Sequence, residues 1–354
     1  MFGSGEMKDS SRGGWYGAFS VFAGCILLGI AHSNRLTFPS PWNDEARFYL
    51  PALWWTEHRS LQPVILNAPR GIFWVPDGFT VFIGLALRLF GRTIGVARST
   101  CEFTVATGVA VFSVVFRKLA GSWQMGALAT MLLLTPPVAF AANMVRMEAP
   151  IFLLIAVVLL LHVNGHLLAA TSILFGSLLI HPALGLAAVG YSVTVWIFPR
   201  RTSDKRVTGV LDWAVLMFVA VGLFAEAARV LKNISLFRSH MAYQATRKLS
   251  TPLYSKILSP KGAILLIIVA VIAKLLLSQR APEAGPLVAV ALGVLIYSVL
   301  GHEPQYDVYC YSVAPTIVYC LMCKGYLSEP DVRACVIDCV IPFDKGEALL
   351  PERS

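Results

Sequence analysis

The chain has 354 residues, of which 56% are hydrophobic and only 14% are charged, whereas soluble domains carry about 25% charged residues. Apolar runs recur from Trp15 to Tyr326 without strand-type alternation, which excludes a soluble, a disordered and an outer-membrane barrel protein and predicts an all-α polytopic membrane protein. The net charge of +9 sits in the loops between apolar runs, where lipid headgroups and cytoplasmic anchoring account for it without any nucleic acid.

The first apolar run, Trp15–Ala31, follows a short polar start containing Lys8 and Arg12. Ala31-His32-Ser33 weakly suggests a signal-peptide cleavage site. Everything downstream is apolar too, so 15–34 is expected to be an uncleaved first span. Next comes SPWNDEARFYLPALWW, Ser40–Trp55. Ser40 suits an N-cap and Pro41 the first helical position. Asp44 and Glu45 then fall near a helix start, where the macrodipole favours ionised carboxylates. Pro51 is expected to kink or end this helix, and Trp54 and Trp55 suit a headgroup layer. The expected shape is a short helix lying flat on the membrane.

Phe73–Phe90 is apolar but contains Asp77 and Arg88, which leave ten uncharged residues between them. As a helix that stretch is about 15 Å long, half of a hydrocarbon core of about 30 Å. It reads as an interfacial or re-entrant helix. Further spans are expected at 97–116, 122–141, 149–163, 167–180, 183–198, 208–229, 262–278, 285–301 and 308–326, with the break at His162–His166 the hardest to place. The total is about ten spans with two interfacial helices after the first. Residues 1–330 would form one transmembrane domain, with an acidic interfacial loop at 37–95 and a second external loop at 230–260, followed by a short polar tail at 331–354. The seven cysteines (25, 101, 310, 320, 323, 335, 339) read as core thiols, because Cys320 and Cys323 have no second pair at zinc spacing.

With 73–90 not crossing, the basic stretches Arg117-Lys118 and Arg200–Arg206 fall on the N-terminal side, as the positive-inside rule prefers for a cytoplasmic N-terminus. The same parity gathers NDEA, RMEAP (146–150), IHPA (180–183) and GHEPQYDVY (301–309) on the opposite face.

NDEARFY, following the first apolar run, is similar to the acidic motif in the first external loop of GT-C-type glycosyltransferases. These membrane enzymes use polyprenyl-phosphate sugars and include protein O-mannosyltransferases and lipid A aminoarabinose transferases. The stretch LRLFGRTIGVARSTCEFTVATGVAVFSVVFRKLAG (87–121) resembles the segment after that loop in the family, and NMVRMEAPIFLL resembles its second external acidic position. The likeness covers roughly residues 15–165. Two departures are Glu148, where the family more often has Asp, and the lack of the soluble C-terminal domain that some members carry.

The resemblance implies an inverting transfer of one sugar from a polyprenyl-phosphate carrier to a lipid, glycan or protein acceptor, at the external (periplasmic) face of a bacterial plasma membrane. It assigns the general base to Asp44, with Glu45 and Glu148 in support; a carboxylate within reach of an acceptor hydroxyl is suited to that work. Arg70, Arg98 and Arg146 would hold the donor phosphate, where guanidinium groups stabilise the charge gained by the leaving group. His181, His302, Glu303 and Tyr306 are candidates for substrate binding. The plain alternative is that Asp44 and Glu45 form a solvated interfacial pair balanced by Arg47, with the histidines capping span ends. No cofactor and no metal site is expected; Asp44 and Glu45 are chemically able to hold a divalent cation, but no ligand spacing calls for one. Two other classes stay open: a secondary transporter or lipid-linked flippase, which should show inverted repeats, and a non-catalytic subunit of the same fold.

Overall fold

The computed structural model describes residues 22–24, 43–61, 77–120, 142–181, 184–197, 209–239, 242 and 290. These residues are all-α. In chain order the helices are α1 (Asn43–His58), α2 (Asp77–Phe90), α3 (Ile94–Ala120), α4 (Glu148–Val163), α5 (Leu167–Gly176) with a 3₁₀ turn (Ser177–Leu179), α6 (Gly185–Ile197) and α7 (Val210–Lys232).

Of the two outcomes expected at Pro51, a kink or an end, the end does not occur: α1 runs through it. An internal proline forfeits a hydrogen bond and crowds the preceding turn, at a cost of about 3 kcal/mol. Packing of the second half of α1 on α2 offsets that cost. Ala52 is fully buried, and Trp55 lies so close over Gly84 that a Cβ there would come within 2.5 Å of Trp55 Cε3. Gly84→Val is therefore expected to destabilise the protein by about 1–3 kcal/mol, read as a lower unfolding midpoint in detergent. An unchanged midpoint would mean that this seam does not hold α1 in place.

α2 ends at Gly91, whose φ of +118° is open to glycine and costly for other residues; its N–H bonds Leu87 O at 3.1 Å. Two residues later Thr93 Oγ1 accepts the Val96 N–H at 3.2 Å and caps α3. α3 and α4 make the most extensive helix pair. Gly108 permits it, since a Cβ there would meet Phe152 Cδ1 at 2.7 Å; Phe112 and Phe152 pack edge to face at 4.9 Å.

α4 stops at a tight turn, Asn164-Gly165-His166, where Gly165 has φ +83° and the His166 N–H returns to Leu161 O at 2.9 Å. The start of α7 is tied to this turn through Asp212, which is fully buried. Its Oδ1 accepts the Ala169 N–H at 3.0 Å, and its Oδ2 accepts from Gly209 N at 3.1 Å and pairs with His166 Nδ1 at 2.9 Å.

The expectation of about ten membrane spans is corrected. Among the described residues only two helices are long and apolar enough to cross a membrane, Ile94–Leu119 and Val210–Lys232. The apolar runs at 149–163, 167–180 and 183–198 do form helices, but α4, α5 and α6 have 16, 10 and 13 residues, where a span needs about 20. The turn at Asn164–His166 falls on the break expected near His162–His166 and leaves two helices, each too short to cross. α2, with 14 residues, is about 21 Å long and is also too short to cross. The spans expected at 122–141, 262–278 and 308–326 lie outside the described residues, as do nearly all of those at 15–34 and 285–301, most of the loop at 230–260, the tail at 331–354, and the Ser40–Pro41 cap.

Candidate active site

α1, α3 and the loop before α4 meet at a buried ion pair. Glu45, in the first turn of α1, is 0% exposed, and Arg98, near the start of α3, is 6% exposed. The pairing is bidentate: Arg98 Nε donates to Glu45 Oε1 and Nη2 to Oε2, each at 2.7 Å. Glu45 Oε1 also accepts the Val145 backbone N–H at 3.1 Å. Removing two ions from water costs several kcal/mol each, and only such a fork-on-fork geometry with additional donors recovers it. The result is a clamp joining segments 53 and 100 residues apart in the chain.

A second pair lies next to the first. Arg146 Nε donates to Glu148 Oε2 at 3.1 Å and its Nη2 to Oε1 at 2.7 Å. Glu148 opens α4, where the helix dipole favours its charge, and is nearly buried. Cys101, fully buried and free, lies near both pairs: the Arg146 backbone hydrogen-bonds to it, and Glu45 and Glu148 both act on it electrostatically. Successive residues of one loop, Val145 and Arg146, are thus anchored to α1 and to α3. Among the described residues no group of three or more His, Cys, Asp or Glu side chains is arranged to hold a metal ion.

The structure thereby brings together Glu45, Arg98, Arg146 and Glu148. Asp44 lies in the first turn of α1, one residue before Glu45; its side chain falls outside the described residues. His181 is buried after the 3₁₀ turn, with its N–H on Ser177 O at 2.8 Å. It follows Leu179 and Ile180, which line a separate cavity. Arg70, His302, Glu303 and Tyr306 lie outside the described residues.

Sequence reasoning missed a third charged cluster. Asp77, at the start of α2, accepts from Arg229 Nε at 2.6 Å, and Arg229 also forks onto Glu226, at 3.1 and 2.6 Å. Burial pushes the Asp77 carboxyl up to about 7; Arg229 opposes the rise, while the nearby charge of Glu226 and a hydrogen bond with it add to it. The available signal was a pair of ionisable residues three apart inside an apolar helix, Glu226 and Arg229, which at membrane depth demands a partner.

Because the folded state holds the Asp77 proton more tightly than the unfolded chain, its stabilising contribution is complete below about pH 4, the unfolded value. It is lost as pH rises through about 7. Unfolding midpoints taken from pH 4 to 8 should show this fall in the wild type, and the slope should flatten in Asp77→Asn. Parallel curves for the two proteins would remove the assignment.

No protein-family model matches the chain, and no curated protein matches it. Among solved structures, that of ArnT from Cupriavidus metallidurans bound to undecaprenyl phosphate is similar, with a TM-score of 0.60 at 18% sequence identity. The match covers 89% of this chain and 62% of that one, so this chain spans less than two thirds of its length. At this identity the likeness shows a shared fold.

Proposed function

We propose that the chain is a membrane-bound glycosyltransferase that takes its sugar from a polyprenyl-phosphate carrier and passes it, with inversion, to an acceptor at the external face. The observation that carries this reading is the meeting of the two acidic segments, at Glu45 and at Glu148, around the start of α3. It occurs in a fold shared with a protein solved with undecaprenyl phosphate bound.

In this reading Asp44 takes the proton from the acceptor hydroxyl as the anomeric carbon is attacked. Glu45 and Arg98 neutralise each other, so they act as positioning residues that fix the first turn of α1 and the loop at 144–147. Glu148 holds Arg146 in place, and Arg146 with Arg70 meets the phosphate that leaves. Inversion follows from direct attack, with no covalent intermediate on the protein.

The test supplies purified protein with polyprenyl-phosphate sugars of several kinds together with lipid and glycan acceptors, and follows the release of free polyprenyl phosphate. Release that depends on an added acceptor is expected for at least one donor. Failure to bind any polyprenyl phosphate, sugar-loaded or free, would overturn the proposal.

A further inference from the structure

A cavity of about 1070 Å³ lies among α2, α5 with its 3₁₀ turn, and α7. It is slightly larger than the usual small-molecule site of about 300–1,000 Å³. Its body is apolar, formed by Phe82, Leu85, Leu179 and Phe218 among others, and Asp77, Glu226 and Arg229 belong to its lining. Among the described residues the charged cluster contains two carboxylates and one guanidinium. Among the described residues the charged groups that act on Asp77 are Arg229 and Glu226, both from α7.

The composition of the cavity restricts its occupant. Arg229 already engages both carboxylates, so an anionic head entering here would face two negative groups. A purely apolar chain would leave the charged side chains against hydrocarbon, which is costly. Among the described residues the cluster sets two carboxylates against one guanidinium, and burial together with the nearby Glu226 holds a proton on Asp77 up to about pH 7.

We propose that this cavity binds a single-chain amphiphile with an ammonium head, its chain among Phe82, Leu85, Leu179 and Phe218 and its ammonium on Asp77 and Glu226. An ammonium offers three N–H donors for those carboxylate oxygens. On binding, the proton on Asp77 leaves to water and the ammonium keeps its own, so the charge of the cluster is balanced by the ligand. Affinity therefore rises with pH through neutrality. This inference does not depend on the transfer reaction.

The test uses native mass spectrometry of the full chain with dodecylamine, dodecanol and dodecanoate, which share one chain and differ in the head. An alkylammonium stays charged across the range, as lysine does. At about pH 8 the amine should bind about tenfold or more tighter than the carboxylate, and the preference should shrink at about pH 6. Asp77→Asn with Glu226→Gln should abolish the preference while chain binding persists. Val215→Trp, which fills the cavity from α7, should weaken all three probes. Equal or tighter binding of dodecanoate at the higher pH would overturn the proposal. So would an amine preference that survives the double substitution, or amine binding unchanged by Val215→Trp; the last applies even if the charge variants fail to fold.

Discussion

Asp44→Asn is expected to lower sugar transfer by about 10²–10⁴-fold, the range for loss of a general base, and to leave donor binding within about twofold of wild type. The substitution removes one charge and almost no volume at a position in the first turn of α1. Glu45, the neighbour that ties this turn to α3 and to Val145, is untouched. A loss confined to the chemical step should therefore appear in kcat, with the donor Kd steady. Polyprenyl phosphate release under saturating donor, read beside equilibrium binding of the same donor, separates the two. Wild-type turnover in Asp44→Asn would mean that another group takes the proton.

The second large effect is on stability. Arg98→Ala leaves Glu45 as a fully buried carboxylate without its counter-ion, and the expected cost is about 3–5 kcal/mol. Arg98→Lys should recover little of it, because an ammonium cannot replace the two parallel N–H bonds of the guanidinium fork. The double variant Glu45→Leu with Arg98→Met removes both charges and should be far more stable than the sum of the single losses predicts. Such a variant would be folded yet slow, because α1 would no longer be held to the loop before α4. Chemical unfolding in mixed micelles measures the first three statements and the transfer assay the last. Additive losses across the cycle would mean that Glu45 and Arg98 do not act as a unit.

The helices were readable where local rules suffice. The run at 97–116 sits inside α3, and the uncertain boundary near His162–His166 falls on the turn that Gly165 makes possible. Local rules failed where packing between distant segments decides. At Pro51 they left a kink and an end both open, and α1 continues because Trp55 and Gly84 close the seam between α1 and α2. The span count failed because hydropathy measures how apolar a run is and not how much of it is one helix long enough to cross.

At the candidate site the acidic residues could be picked out through a family resemblance, but the pairing of Glu45 with Arg98 and Val145 could not, since no local pattern links positions so far apart. Asp77 was noticed only as an interruption of an apolar run. Its partners, Glu226 and Arg229, lie on α7, and only the fold brings them to it.

The most direct test of the account is to locate the carrier phosphate. A polyprenyl phosphate bearing a photoreactive group beside the phosphate, cross-linked to the wild-type protein and mapped by peptide sequencing, should label the start of α1 around Asp44 and the segment at 142–148, with competition by unlabelled carrier. Labelling that competes but falls entirely elsewhere, such as along the Asp77 cavity, would contradict a transferase site built on the meeting of those two segments.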